Sequence, residues 1–164
     1  MFDVTVDFPK MKVAVATRDA RVVEIRYLPL LSKSISPRNA LAARAAEQLE
    51  AYLANPDTRF DLPLALEGTP FQLKLWEALC RIPRGNTRTY GALARELGGA
   101  HFDMSRAVGQ ACGDNRLPVV IPCHRVVAAD GIGGFAHSTG GYLLEAKRWL
   151  LAHELGADPF ELRP

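Results

Sequence analysis

Several features are scarce in this sequence, and each scarcity excludes a class of protein. No apolar run approaches the roughly 20 residues that a membrane-spanning helix needs, so no membrane association is expected. The 164 residues include only three cysteines and no CxxC pair, which argues against a disulfide framework and a zinc site; no metal is expected. The start of the chain alternates apolar and polar residues and lacks the basic and apolar stretches of a signal peptide, which favours a cytoplasmic protein.

The net charge of +2 is small but unevenly distributed. Between Arg81 and Arg125 the sequence has seven arginines against three acidic residues. A concentration of arginine in one segment is typical of a surface that meets a polyanion, although a solvated arginine-rich face gives the same pattern.

The first part of the chain predicts a small antiparallel sheet followed by one helix. Strands are expected over Phe2–Phe8, Lys12–Thr17 and Val22–Tyr27, because apolar residues alternate there and the connections are short. Helical spacing of apolar residues predicts a helix over Pro37–Ala54, with Ser36 as its N-cap. The segment 55–68 has no clear period and is interpreted as a linker.

The second part, residues 69–164, predicts a mostly helical domain. A Thr69-Pro70 start precedes a helix that continues to Cys80. Two shorter helices, Tyr90–Leu97 and about 103–112, are separated by a glycine-containing turn, which is the outline of a helix-turn-helix. A final helix ends at Gly156. Its inward face is predicted to consist of Tyr142, Ala146, Trp149, Leu150 and His153.

A cysteine stands between the last two of these helices in the sequence Ile-Pro-Cys-His-Arg-Val, residues 121–126. The segment before it is predicted to be extended, and Val126-Val127 with Gly131 to form a tight hairpin. A histidine next to a thiol can remove its proton, and the thiolate is the nucleophile, so Cys123 is a candidate nucleophile and His124 a candidate base. Cys80 and Cys112 are expected to be inert.

Residues 71–155 resemble the O6-alkylguanine-DNA alkyltransferases, also called methylated-DNA–protein-cysteine methyltransferases. The resemblance is carried by Thr89-Tyr90, Arg106-Ala107-Val108-Gly109, Asn115, residues 121–127 and Lys147 to Glu154. It implies an α+β fold with a small N-terminal supporting domain, residues 1–68, and a C-terminal domain with a helix-turn-helix and a buried active-site cysteine. It also implies direct-reversal DNA repair, in which Cys123 accepts the alkyl group of O6-alkylguanine, or of O4-alkylthymine, in a single turnover without a cofactor.

The resemblance implies a role for several side chains. Glu154 would orient the imidazole of His124, Asn115 would tie the active-site turn, and Tyr90 would donate toward the extruded base. Arg106 would fill the gap that the base leaves. The small residues Ala107 and Gly109 suit close approach to the minor groove of double-stranded DNA by a protein expected to be monomeric. Further DNA contacts are expected from Thr89, Arg116 and Arg125.

The sequence departs from the family's pattern at the loop 133–141, which is longer than the pattern leads us to expect. Phe135 can take the place of the loop's aromatic residue, and Ser138 or Thr139 that of its serine. The remaining expected pocket residues are Met104 and Val126. Arg116 replaces a common proline and offers a further phosphate contact.

Three other functions fit parts of the sequence. A protein that binds alkylated DNA without repairing it would lack the reactive cysteine, whereas Cys123 is present. A regulator that senses alkylation fits the helix-turn-helix and is compatible with transfer. A cysteine hydrolase would need an oxyanion hole, and the sequence has no glycine-rich nucleophile elbow.

Overall fold

The computed structural model describes residues 1–98, 103–135, 137 and 140–156. Its contacts divide the chain into two compact units, Met1–Leu66 and a second that begins at Glu67. No helix of the described residues is long and apolar enough to cross a membrane.

The first unit is a three-stranded antiparallel sheet with one helix. The strands β1 (Val4–Asp7), β2 (Lys12–Arg18) and β3 (Arg21–Leu28) pair in the order β1-β2-β3. Asp19 and Ala20 both have positive φ, which allows the two-residue turn between β2 and β3. The helix α1 (Ala40–Ala54) buries an alanine-rich face that includes Leu49 and Tyr52.

The helix α1 begins three residues later than the sequence predicts. The N-cap is Asn39, whose side chain accepts from the backbone N–H of Ala42 at 2.8 Å, so the prediction of Ser36 as the cap is wrong. The reason lies in the preceding segment, which hydrogen-bonds along β1: Thr5 N–H donates to Ile35 and Arg38 N–H donates to Asp3. Those bonds keep the backbone extended where Pro37 would otherwise start a helix.

The second unit confirms the mostly helical arrangement. It contains α2 (Pro70–Cys80), β4 (Arg88–Thr89), α3 (Tyr90–Glu96), α4 (Asp103–Gly113), a 3₁₀ turn (Cys123–Arg125), β5 (Val126–Val127) and α5 (Gly141–Leu155). A capping box starts α2, and α3 packs against α4 as the helix-turn-helix pattern predicts. The indole N–H of Trp76 on α2 donates to the carbonyl of Ala111 on α4 at 3.2 Å.

The segment before Cys123 is not extended, contrary to the sequence prediction. Val119 has a φ of 71°, Ile121 N–H donates to Leu117 O at 2.9 Å, and Cys123 begins the 3₁₀ turn. Asn115 explains the turn, because its side-chain oxygen accepts from Leu117 N–H and its amide donates to Ile121 O. One polar side chain thus satisfies two backbone groups that an extended strand would leave unpaired.

The inward face of α5 also differs from the prediction. The buried residues are Ala146, Lys147, Leu150, Leu151 and Glu154. The prediction is correct for Ala146 and Leu150 and wrong for Tyr142, Trp149 and His153; the last two stack on each other with ring centroids 4.7 Å apart. The buried face includes two ionisable residues, which apolar periodicity cannot identify.

Candidate active site

Cys123 lies in a cavity of about 650 Å³ within the second unit and is 5% exposed. One side of the cavity is α4 and another is the segment that follows Gly133. The lining residues are Tyr90, Ser105, Arg106, Gly109, Gln110, Cys112, Gly113, Cys123, Gly134, Phe135 and His137. The thiol is therefore inside the protein but reachable from a space large enough for a purine base.

A buried chain of charged and polar groups begins at His124, the residue that follows Cys123. His124 Nε2 lies 2.9 Å from Glu154 Oε2, and the guanidinium of Arg125 donates to both carboxylate oxygens at 2.8 and 2.9 Å. Arg125 also donates to the carbonyl of Ile82 at 2.6 Å. The ion pair holds Glu154 in one orientation, and Glu154 in turn holds the imidazole.

The proton positions follow from this geometry. Burial lowers the pKa of His124, partly offset by Glu154, so the imidazole is neutral at neutral pH. Burial alone would raise the pKa of Glu154, but a hydrogen bond from His124 and the hydrogen bonds and charge of Arg125 hold it well below its usual value. The imidazole then donates through Nε2 to the carboxylate. Its Nδ1, buried and without a partner in the described residues, is left with a free lone pair.

Lys147 is a site residue that the sequence reasoning missed. Its Nζ donates to the carbonyl of Gly134 at 2.9 Å and lies 5.7 Å from the ring centroid of Tyr90 and 5.9 Å from that of Phe135. Burial lowers the pKa of Lys147 to about 8, and the nearby thiols Cys123 and Cys112 oppose that shift. The sequence signal was its spacing of seven residues from Glu154, which places both residues on one face of α5.

Opposing influences act on the pKa of the Cys123 thiol. Burial raises its pKa to about 11, while a hydrogen bond from Asn115 and the charge of Lys147 lower it. Burial likewise raises the pKa of Cys112, which shares the cavity. The Cys123 thiol is therefore protonated at rest, and a reaction through its sulfur would require a base.

Tyr90 is placed by a short parallel pairing of β4 with β5, in which Arg88 is opposite Val126 and Thr89 opposite Val127. This pairing joins the start of α3 to the end of the 3₁₀ turn. The Tyr90 hydroxyl donates to the carbonyl of Gly134 at 3.2 Å, so it reaches the same acceptor as Lys147. Burial raises the pKa of Tyr90, which keeps it a donor.

Some predicted DNA-contacting residues lie at the cavity and others do not. Arg106 is exposed and lines the cavity together with Gly109. Ala107 is half-buried and Arg116 is exposed, but neither lines the cavity. The Thr89 hydroxyl accepts from Ala92 N–H at 3.0 Å, so its oxygen caps α3.

The structure places three predicted residues in surroundings that the prediction did not include. The guanidinium of Arg125 donates to Glu154 and Ile82 inside the unit, so Arg125 is an ion-pair partner of Glu154, and its contact with DNA stays a prediction. Val126 is fully buried in β5 and Met104 is half-buried, and neither lines the cavity, whereas Phe135 does. The two candidates for the loop hydroxyl, Ser138 and Thr139, lie outside the described residues.

Metal binding finds no support in the part of the chain that the structure describes, where no group of three or more histidine, cysteine or acidic residues is suitably placed. The site consists of a thiol, an imidazole–carboxylate pair and an ammonium group. These groups can generate and stabilise a thiolate.

Comparisons with known proteins agree with this chemistry. The family described as 6-O-methylguanine DNA methyltransferase, DNA binding domain, matches residues 70–156. A methylated-DNA–protein-cysteine methyltransferase of Mycolicibacterium paratuberculosis is 40% identical, with 96% of this chain and 94% of the relative covered.

Solved structures give the same result. The O6-methylguanine methyltransferase of Mycobacterium tuberculosis superposes with a TM-score of 0.76 at 34% identity, covering 99% of this chain and 98% of that one. A structure of the same organism's protein in complex with DNA has a TM-score of 0.74 at 36% identity, with 94% of each chain covered. The chain therefore belongs to the O6-methylguanine-DNA methyltransferase family.

Proposed function

We propose that this protein repairs alkylated DNA by transferring the alkyl group of O6-alkylguanine to Cys123. The observation that carries the proposal is the position of the thiol, inside a base-sized cavity and one residue before a buried imidazole whose Nδ1 has no partner among the described residues. All of these residues belong to the second unit, to which we assign DNA binding and transfer, acting as a monomer. The first unit is assigned a supporting role.

Transfer begins with removal of the Cys123 proton by His124 Nδ1 through one water molecule. Glu154 stabilises the imidazolium that forms, and Lys147 stabilises the thiolate. The sulfur then attacks the alkyl carbon, and the bond from that carbon to O6 breaks with its electron pair remaining on the base. The guanine anion that leaves takes up a proton at N1, the imidazolium of His124 gives up through water the proton that it took from the thiol, and the protein keeps a thioether.

A thioether has no easy route to hydrolysis, so each chain reacts once. No step needs a metal or an organic cofactor. O4-alkylthymine presents the same alkyl–oxygen bond and is proposed as a second substrate.

Binding is proposed to occur through the minor groove, with α4 as the element that enters it. The side of α4 that lines the cavity carries Ser105 and Gly109, which permit close approach of a backbone. Arg106 stands at the cavity with its side chain exposed, where a planar cation can occupy the space of an extruded base. Arg116 and the backbone near Thr89 are proposed as phosphate contacts.

The decisive experiment is intact mass after the protein is mixed with a duplex that carries one O6-methylguanine. We expect a gain of one methyl group per chain, absent in Cys123→Ala. An unchanged mass with selective retention of that duplex would identify a binding-only protein. An unchanged mass without preference for the lesion would overturn the repair function, and multiple turnover would identify a hydrolase.

The role of Arg106 can be separated from the chemistry. Arg106→Ala should slow transfer from the duplex while leaving transfer from free O6-benzylguanine unchanged, because a free base needs no extrusion. Equal slowing on both substrates would contradict a role in extrusion and place Arg106 in the chemical step.

A further inference from the structure

His137 lies at the cavity without any role in the mechanism above. Its Nε2 is 3.0 Å from Asp114 Oδ1, and its ring lines the cavity that holds Cys123. The residue adopts a φ of 63°, in the left-handed region that a histidine rarely occupies. A backbone conformation of this kind, at a residue whose side chain bonds Asp114, calls for a structural or functional explanation.

The ring rests directly on Gly113 at the end of α4. A Cβ on Gly113 would overlap the imidazole, and the three nearest atoms to it would all be His137 ring atoms. The absence of a side chain at Gly113 therefore creates the seat for the ring.

Asp114 is fixed from its other side. Its Oδ2 accepts from Gln72 Nε2 at 3.2 Å, and Gln72 belongs to the capping box that starts α2. The carboxylate thus connects the start of α2 to the imidazole. His137 is tethered to the helical part of the unit and not only to its own segment.

We propose that His137, tethered by Asp114 and seated on Gly113, forms a wall of the acceptor cavity and limits the size of the O6 substituent that Cys123 can accept. The wall lies where the segment carrying Gly134 and Phe135 meets α4. The proposal rests on the proposed function, since it concerns the specificity of the same thiol.

The contact between His137 and Asp114 is easily strengthened or weakened, so the substituent size that the wall admits can be adjusted. Both side chains of the pair are 48% exposed, so solvent weakens their attraction. Steric exclusion by the ring is what discriminates between substrates, since a pocket distinguishes substituents mainly by the space it leaves.

The test compares the rate of methyl transfer from a duplex containing O6-methylguanine with the rate of benzyl transfer from free O6-benzylguanine, both by intact mass. His137→Ala and Asp114→Ala should raise the benzyl-to-methyl ratio by about tenfold, with methyl transfer retained. Gly113→Ala should also change the ratio, because its methyl group displaces the same ring. Asp130→Ala, a matched loss of an exposed carboxylate, should not.

The outcomes separate the two proposals. If the unaltered protein gains no methyl group, the proposed function fails. If it gains one but the ratio is unchanged or lower in His137→Ala and Asp114→Ala, only the wall is overturned. Retained methyl transfer shows that a variant is folded, and if His137→Ala does not fold, Asp114→Ala decides.

Discussion

Glu154 is the carboxylate that connects two basic side chains of the site, since it binds both His124 and Arg125 in the interior. Replacing it by glutamine removes the negative charge that orients the imidazole and leaves the arginine without its counterion. We expect Glu154→Gln to slow single-turnover transfer by roughly 10²–10⁴-fold. It should also lower the free energy of unfolding by about 3 kcal/mol, because a buried charge loses its partner.

Urea unfolding and a rapid-quench transfer assay measure these two effects. Glu145→Gln on the exposed side of α5 is the matched control and should change neither quantity. A transfer rate within a factor of two of the unaltered protein would contradict the assigned role of Glu154.

Lys147 gives a second prediction at this scale. Lys147→Met keeps the packing of the aliphatic stem but removes the ammonium group that lowers the pKa of Cys123. The thiol should then ionise less readily, and transfer at pH 7.5 should slow by about tenfold. The measurement is the rate of transfer against pH, where the rising limb should move to higher pH. If the pH profile of the transfer rate does not shift, Lys147 contributes only through its hydrogen bond to the Gly134 carbonyl.

The sequence predicted those site residues that stand in a recognisable motif or have a chemical type that the reaction requires. Cys123 and His124 stand in an unusual short motif, and both lie at the site. Lys147 was missed because a buried lysine has no sequence signature apart from its helical face. The ion pair of Arg125 with Glu154 was missed because an arginine beside a candidate nucleophile resembles a DNA contact until its buried carboxylate partner is known.

At the scale of elements, the segment that follows β5 depends on Gly133. This glycine has a φ of 75°, and a Cβ there would come within 3.1 Å of Ala128 N and of the Tyr90 ring. Gly133→Ala should therefore lower the free energy of unfolding by about 1–3 kcal/mol and slow transfer. Gly131→Ala is the control, since its methyl group meets nothing within 4 Å. Equal effects of the two substitutions on thermal unfolding and transfer would refute this explanation.

Helix starts and strands were predicted well where local chemistry decides them. Thr69 starts its helix as expected, through its bond to Gln72. The predicted start of α1 and the predicted extended segment before Cys123 were wrong, because groups outside these segments determine their conformation. Backbone bonds to β1 delay the helix, and Asn115 folds a segment that β-branched residues would otherwise extend.

The two units of the whole molecule differ in how their buried polar groups are used. In the first, Lys12 is the buried charged residue, paired with Asp7 and Ser34. Among its described residues, the second buries His124, Lys147 and Glu154. Composition alone does not reveal this concentration, since the net charge of the chain is only +2.

That concentration makes the stability of the whole protein sensitive to acid. The pKa of His124 is lowered from its ordinary 6.5, so the unfolded chain binds a proton there that the folded protein does not, and stability falls as pH decreases through 6.5. The pKa of Glu154 is lowered from 4.5, which adds a further loss below that pH. Urea unfolding should therefore give a smaller free energy at pH 5 than at pH 7. His124→Gln should show a smaller difference between these two pH values, and an equal difference would mean that His124 is protonated in the folded protein.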